Sequence, residues 1–212
     1  MKIDLHTHTE YSHDSRLPIE RIIEIAKRKG LDGIAITDHN TFKGVERAIE
    51  MNLDDFLIIR GEEITSDRGD ILGLFIEEKI ESRRYLEVIN EIKDKGGLVI
   101  LPHPFDIHRG EHFKNVEEIK DNIDGVEVYN SRYIYNKANE EAVEFARKND
   151  LIKTGGSDTH TIFGVGNCYV ETEASDLEEF RKKLEDKDVK VRGKRSNPLV
   201  HLISIFNKKF TK

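Results

Sequence analysis

Short apolar segments alternate with amphipathic segments along most of the chain. The apolar segments are rich in Ile, Val and Leu, as buried strands are. They lie at 3–9, 32–37, 56–60, 70–75, 98–101, 125–130, 151–154 and 167–171. Apolar residues recur at helical spacing in 18–30, 42–51, 82–95, 138–146 and 175–184. We therefore predict a strand-then-helix unit that is repeated about seven times.

The apolar segments do not alternate with polar residues, which indicates strands that are buried on both faces of a parallel sheet. Two architectures fit this pattern, a doubly wound open sheet and a closed barrel. Polar residues that could form a site follow many of the predicted strands. Only the strands beside a switch point contribute to a site in an open sheet, whereas every strand end faces one mouth in a barrel. We therefore expect an α/β barrel.

Composition narrows the classes of function. The chain has 212 residues, enough for one domain with a sizeable core, and no Pro/Gly/Ser-rich linker divides it. Its formal net charge of -7 argues against duplex nucleic acid as a main partner. The single cysteine, Cys168, cannot form a disulfide within the chain. Because neither a signal peptide nor a membrane-spanning apolar run is visible, we expect no membrane association and a cytoplasmic location.

Two histidines spaced i, i+2 end the first predicted strand. On an extended chain this spacing puts the imidazoles of His6 and His8 on one face, where they can hold a metal ion. Other His, Asp and Glu residues follow later strands or lie in the loop after the first one. The metal-ligand candidates are His6, His8, Asp14, His39, Glu63, His103, Asp158 and His160.

Imidazole and carboxylate ligands together suit Zn, Mn or Fe(II). The candidates are too many for one ion, so we expect two or three divalent ions with a carboxylate that bridges them. Structural alternatives stay open, since Asp38-His39 can be a helix cap beside a surface histidine and His103 can belong to a rigid Pro-His-Pro turn. Glu62 and Glu63 face opposite ways on a strand, and we expect Glu63 to be the ligand and Glu62 to be exposed. The histidines predicted not to be ligands are His13, His108, His112 and His201.

Five of these motifs occur in the order found in one family, and the chain resembles the PHP (polymerase and histidinol phosphatase) domain superfamily of metal-dependent phosphoesterases. The motifs are Asp4-Leu5-His6-Thr7-His8, Thr37-Asp38-His39-Asn40, Gly61-Glu62-Glu63-Ile64-Thr65, Pro102-His103-Pro104 and Gly156-Ser157-Asp158-Thr159-His160. The resemblance implies a distorted (β/α)7 barrel, TIM-barrel-like, with a trinuclear metal site at its C-terminal mouth. We expect a single domain over 1–212, in which 190–212 is a tail whose packing the sequence leaves open.

The resemblance also implies how the ligands divide. By position, His6, His8, Glu63 and Asp158 would hold one ion, and Glu63 would bridge to a second ion shared with His103. The third ion would be held by Asp14, His39 and His160. The chain departs from the family at Asp70, which stands where members often carry a histidine in a His-x-Leu-Gly pattern. Asp70 is therefore a further ligand candidate, a strand-edge carboxylate, or a sign of a two-ion subgroup.

Phosphate esters need cationic groups around the phosphorus during hydrolysis. The metal ions would supply most of this charge, and the loop arginines Arg109 and Arg132 are candidates for binding the substrate phosphate, or are solvated. We predict attack by a metal-bridging hydroxide, with Asp158 or His160 orienting or protonating the leaving oxygen and Asp38 supporting a ligand imidazole. The expected substrate is a small phosphate ester such as a nucleotide, histidinol phosphate or a short oligonucleotide end.

Two other functions stay open. One is hydrolysis of a C–N bond, as in the amidohydrolases, which often show a lysine at the end of a middle strand; no apolar segment here ends in lysine. The other is a non-catalytic barrel in a ribonucleoprotein, which we would expect to be basic and to have lost its ligands. The sequence leaves the oligomeric state open.

Overall fold

The computed structural model describes residues 1–106, 113, 115–133 and 136–196. Within these ranges strands and helices alternate in the order that the apolar pattern predicts. The strands are β1 (Lys2–Thr7), β2 (Gly33–Ile36), β3 (Leu57–Thr65), β4 (Asp70–Leu74), β5 (Leu98–Leu101), β6 (Gly125–Asn130), β7 (Ile152–Gly156), β8 (Cys168–Glu171) and β9 (Lys190–Gly193). The helices are α1 (Ile19–Arg28), α2 (Lys43–Glu50), α3 (Tyr85–Asp94), α4 (Asn136–Lys148) and α5 (Leu177–Glu185), with a 3-10 helix at Val116–Glu118.

The strands form one sheet in the order β7-β6-β5-β4-β3-β2-β1-β8-β9. It curls until β7 comes close to β1, and the chain after β7 bonds to the end of β1. The amide of Asp158 donates to the carbonyl of His6 at 2.8 Å, and the amide of His8 donates to Thr159 at 3.1 Å. Gly156 allows this approach, since a Cβ there would lie 2.2 Å from the Cβ of His6. The prediction of an α/β barrel in a single domain is confirmed, and the barrel is nearly closed.

Two strands of this sheet, β8 and β4, run against the predicted parallel arrangement, and β8 pairs antiparallel with β1 and β9. β4 pairs antiparallel with both β3 and β5, whereas β1, β2 and β3 are parallel to one another, as are β5, β6 and β7. The reason is the short connection between β3 and β4, in which Ser66 bonds Gly69 and no helix intervenes. A hairpin turn reverses the chain, whereas a parallel neighbour needs a longer crossover.

Apolar side chains fill two layers on opposite faces of the sheet. Along β5, Leu98 and Ile100 belong to an inner cluster, and Val99 and Leu101 belong to the cluster under the helices. The inner cluster also contains Phe180 and Leu184, so α5 covers the barrel end opposite the strand C-termini. Full burial of such side chains contributes about 1.5–3 kcal/mol each. The inner apolar cluster therefore fills the barrel beneath the polar residues at the strand ends.

The C-terminal part of the described chain differs from its prediction in two details. Lys190–Gly193, expected to begin a tail, forms β9 antiparallel to β8, while residues 197–212 lie outside the described ranges. The capping box of α5 lies one residue later than predicted, because Asp176 accepts from the amide of Glu179 at 2.8 Å. Among the helices that the structure describes, none combines the length and the apolar character needed to cross a membrane.

Candidate metal centre

The end of β1 carries the first two site residues into the barrel mouth. The register of β1 against β2 shifts between Asp4 and Thr7, so Leu5 still packs in the inner apolar cluster while His6 and His8 join the polar site above it. Both imidazoles are fully buried, and their Nε2 atoms are 3.0 Å apart. The expectation that both rings share one face is therefore met.

Glu63 is the central carboxylate of the site and is fully buried near the end of β3. Its Oε2 lies 3.1 Å from Nε2 of both His6 and His8 and 3.4 Å from Nε2 of His39. Its Oε1 lies 2.9 Å from Nε2 of His103. One carboxylate thus contacts four imidazoles, the arrangement expected of a carboxylate that bridges metal ions.

A second set of candidate ligands lies beside this carboxylate, toward the loop after β1. Oδ2 of Asp14 is 2.8 Å from Nε2 of His160 and 3.7 Å from Nε2 of His39. The rings of His8 and His160 are 4.3 Å apart at their centroids, so the two sets meet at His8. Asp14, His39 and His160 therefore come together as the resemblance implies.

Asp158 joins the two sets from the loop after β7. Its Oδ1 lies 3.5 Å from Nε2 of His8 and accepts from Nη1 of Arg132 at 3.1 Å. The same Nη1 lies 2.9 Å from Nδ1 of His160. Arg132, predicted to bind the substrate phosphate, is thus at the site, and its side chain is 15% exposed.

Two site residues have a backbone conformation that most side chains avoid. His103 has φ of 31° and Asp158 has φ of 50°. Such conformations cost about 1–3 kcal/mol each and persist where the surroundings impose them. At His103 the neighbouring Pro102 and Pro104 restrict the chain, as the sequence suggests. The fold therefore stores strain at two residues that face the site.

The buried imidazoles and carboxylates around Glu63 shift one another's pKa values strongly. Burial alone would lower the pKa of His8, but the carboxylates of Asp158 and Glu63 raise that pKa to about 9. The pKa of His6 is likewise raised well above its usual value against the penalty of burial, by Glu127 and Glu63. Burial would raise the pKa of Glu63, yet the imidazoles of His39 and His6 hold it well below its usual range.

The imidazoles on the Asp14 side have the opposite tendency. Burial lowers the pKa of His39 to about 4, and burial together with Arg132 lowers the pKa of His160 to about 3. Asp14 stays ionised, because His160 and the other imidazoles outweigh burial and hold its pKa far below the usual range. Neutral imidazoles beside ionised carboxylates are the protonation states that metal binding needs.

The predicted ligands form several groups whose donor atoms are close enough to share an ion. In each group the ligand atoms lie within 4.8 Å of one another. The groups are His8-Asp14-His39-His160, His6-His8-Asp158, His6-Glu63-His103 and His39-Glu63-Asp70. Asp70 is 4% exposed at the start of β4 and so reaches the site, as its position in the family pattern suggests.

Some expectations need correction or lie beyond the described chain. Glu62, expected to be exposed, is fully buried on the other face of β3, where its Oε2 accepts from the amide of Ile80 at 2.8 Å. Asp38 supports no ring directly, since its two oxygens accept from the amide and hydroxyl of Thr9, each at 2.6 Å. Arg109 lies outside the described residues, as do His108, His112 and His201.

Two polar residues on β6 belong to the site although the sequence prediction missed them. Oε1 of Glu127 lies 3.0 Å from Nδ1 of His6, and Asn130 donates from Nδ2 to Asp158 at 3.0 Å. The signal that could have revealed Glu127 is its place in the apolar strand Gly-Val-Glu-Val-Tyr-Asn, where a lone carboxylate is costly unless it is paired.

Comparison with known families agrees with this arrangement. The PHP domain family matches residues 4–154, which include His6, Glu63 and His103, and the PHP-associated family matches residues 136–189. An uncharacterized protein of Methanocaldococcus jannaschii is 33% identical over 184 residues, which cover 84% of this chain and 73% of that protein. A second uncharacterized protein of the same organism is 38% identical over 147 residues, which cover 62% of this chain and 82% of that protein.

Solved structures with low sequence identity share the fold. A two-domain protein of Bacteroides vulgatus that contains a predicted PHP-like metal-dependent phosphoesterase has a TM-score of 0.76 and 20% identity, over 92% of this chain and 65% of that one. This chain thus spans just under two thirds of that protein. An amidohydrolase of Chromobacterium violaceum, with bound sulfate and no metal, has a TM-score of 0.65 and 16% identity, over 89% of this chain and 97% of that one. At these identities the likeness shows the fold alone.

Proposed function

We propose, from the premise that the chain belongs to the PHP domain family, that it is a metal-dependent phosphoesterase that hydrolyses a small phosphate ester. One observation supports this proposal above the others. A fully buried carboxylate, Glu63, lies within 3.4 Å of Nε2 of four histidines. So many buried imidazoles around one carboxylate are costly without a cation to bind, and they suit a cluster of divalent ions.

The donor atoms fit such ions. Nδ1 of His8, His39 and His103 is buried without a hydrogen-bond partner, while Nε2 of each faces Glu63. Ions held by these groups would neutralise the phosphate oxygens of a substrate and lower the pKa of water. We assign the holding of two or three divalent ions to His6, His8, Asp14, His39, Glu63, His103, Asp158 and His160, with Asp70 as a further candidate.

The chain's own residues can bind and orient the ester beside that cluster. Arg132 reaches Asp158 and His160 with one nitrogen of its guanidinium, and its remaining donors can bind phosphate oxygens. His160 bonds through Nε2 to Asp14, and its Nδ1 lies 3.0 Å from the carbonyl of Asp158. Since its pKa is lowered to about 3, His160 is a weak source of protons at neutral pH and is better suited to ligation or positioning.

An exposed aromatic residue in the loop after β7 suits an ester whose alcohol carries an aromatic ring. Phe163 is 63% exposed and lies three residues after His160 in the sequence. The backbone of its loop is held by two hydrogen bonds, since the amide of Gly164 donates to the carbonyl of Thr161 at 3.1 Å and the side chain of Asn167 donates to the carbonyl of Phe163 at 3.0 Å. An exposed aromatic ring in a loop that also carries a candidate ligand can stack on a base or imidazole of a substrate. Nucleotides and histidinol phosphate both carry such a ring.

The two rival functions have less support. None of the strands β1 to β7, as the structure describes them, ends in the lysine that would suggest an amidohydrolase-type centre. A non-catalytic barrel is disfavoured because the candidate ligands lie close together in groups that could hold ions, and because the net charge is -7.

The test is phosphate release from a panel of aromatic and aliphatic phosphomonoesters and dinucleotides. The protein is loaded with Mn²⁺, Zn²⁺ or Fe²⁺ in separate samples, and His39→Ala serves as the blank. We expect release that the variant lacks, with the aromatic esters turned over faster. The contrary result is a metal-bound protein that releases no phosphate from any ester but releases ammonia from amide or amine substrates. That outcome would overturn the phosphoesterase proposal in favour of a C–N hydrolase.

A further inference from the structure

A single buried carboxylate on β6 contacts two of the four imidazole-bearing segments around Glu63. Glu127 is 1% exposed. Its Oε1 lies 3.0 Å from Nδ1 of His6, and its Oε2 accepts from the amide of His103 at 2.9 Å. Because an ionised carboxylate only accepts, Nδ1 of His6 must carry a proton, and Nε2 is the ring nitrogen that faces Glu63 and is available to a metal.

Asn130 extends this network to a third segment. Its Nδ2 donates to Oε2 of Glu127 at 2.9 Å and to Oδ2 of Asp158 at 3.0 Å. Its Oδ1 accepts from the amide of Arg132 at 2.9 Å, which fixes the orientation of the side-chain amide. The network therefore holds the two candidate ligands with positive φ, His103 through its amide and Asp158 through its carboxylate.

We infer that Glu127 is a positioning residue of the metal centre: it fixes the Nδ1–H form of His6 and the strained backbone of His103, and it couples them through Asn130 to Asp158. The inference rests on the proposed metal-binding role of the site. Glu127 is not a member of the candidate ligand groups, so it would influence a bound metal only through the ligands His6, His103 and Asp158.

The substitution Glu127→Gln gives a specific expectation. Two N–H groups, from His103 and Asn130, point at the Oε2 position, so the single oxygen of glutamine must remain there. The new NH₂ group then faces Nδ1 of His6, which must become an acceptor. The ring proton moves to Nε2, the nitrogen that faces Glu63 and His8, and this nitrogen can no longer bind a metal.

Glu127→Asp separates positioning from packing. Aspartate is shorter, so it disturbs the packing more than glutamine, but it keeps a carboxylate that only accepts. If Glu127 only fills space, the aspartate variant should bind Zn²⁺ more weakly than the glutamine variant. If Glu127 fixes the ring proton of His6, the glutamine variant should bind Zn²⁺ more weakly than the aspartate variant. Glu62→Gln is the matched control, because it is also a buried glutamate bonded to a backbone amide but faces away from the site.

The experiment measures Zn²⁺ affinity by competition with a chromophoric chelator, and the ring N–H signals of ¹⁵N-labelled, Zn-loaded protein by NMR. We expect Glu127→Gln to bind Zn²⁺ about 10–100-fold more weakly than the wild type and to lose the slowly exchanging Nδ1–H signal of His6. Glu127→Asp should keep the signal with a smaller loss of affinity, and Glu62→Gln should match the wild type.

The possible outcomes separate this inference from the proposed function. Wild-type protein that binds no Zn²⁺ would contradict the proposed function. Zn²⁺ binding that is as tight in Glu127→Gln as in the wild type, or weaker in Glu127→Asp than in Glu127→Gln, would overturn the positioning role alone. Should Glu127→Gln fail to fold, the His6 signal of Glu127→Asp decides, and its absence would count against the inference.

Discussion

Chelation of bound divalent ions should lower the melting temperature of the protein. A ligand that binds only the folded state stabilises it by about 2.7 kcal/mol when its free concentration is 100 times its dissociation constant. Two of the ligand groups, His6-Glu63-His103 and His8-Asp14-His39-His160, share no residue, so two ions can bind without competing for donors. The stabilisation is then about 5 kcal/mol.

This free energy sets the size of the expected shift. For a domain of 212 residues each kcal/mol moves the melting temperature by about 2–4 °C, so removal of both ions should lower it by roughly 10–20 °C. The assay is differential scanning calorimetry of Zn- or Mn-loaded protein before and after dialysis against EDTA. Any binding of the metal to the unfolded chain would reduce the shift.

Two variants of adjacent residues control the measurement. Glu63→Gln weakens one of the two groups that share no residue and should lose about half of the metal-dependent shift. Glu62→Gln makes the same chemical change on the other face of β3 and should keep the whole shift. Equal melting temperatures of the wild type with metal and with EDTA would refute the reasoning, because they would mean that the buried groups hold no ion.

Three further predictions concern protons and the substrate. At pH 7 metal binding should release about two protons, because the raised pKa values of His6 and His8 leave both rings charged until a metal displaces one proton from each. Calorimetric titration in two buffers of different ionisation enthalpy measures the number of protons released. In metal-free protein, His39 is protonated below pH 6.5 in the unfolded chain but only below about pH 4 in the folded protein, so the free energy of unfolding should fall by about 3 kcal/mol as the pH drops through this window. Urea unfolding of His39→Gln should lack this pH-dependent loss of about 3 kcal/mol. Arg132→Ala should lower kcat/KM for phosphate esters about 10–100-fold through the loss of a charged hydrogen bond, whereas an unchanged kcat/KM would remove Arg132 from the substrate site.

The parts of the site that the sequence predicts are those that local chemistry encodes. His6 and His8 could be paired from their spacing alone, and Glu63, His103 and Asp158 each follow an apolar segment whose end must lie at the barrel mouth. The conclusion that they meet depends on closure of the sheet, which the spread of polar residues over many strand ends indicates.

The remaining features depend on tertiary contacts that the sequence does not display. Glu127 lies inside a strand, and only the approach of β6 to His6 shows what it contacts. Glu62 is buried because the segment after β4 returns over the outer face of β3 and brings the amide of Ile80 to it. The direction of β4 follows from the length of one turn, which the apolar pattern does not register.

Metal-dependent phosphate release by Glu63→Gln and Glu62→Gln is the most direct test of the central claim. Both variants are compared with the wild type on one aromatic phosphomonoester, with Mn²⁺ and with EDTA. We expect release by the wild type and by Glu62→Gln that EDTA abolishes, and a loss of about 100-fold or more in Glu63→Gln, since even residues that only support metal ligands cost 10–100-fold. Equal release by the two variants, or release that persists in EDTA, would contradict a metal-dependent phosphoesterase centred on Glu63.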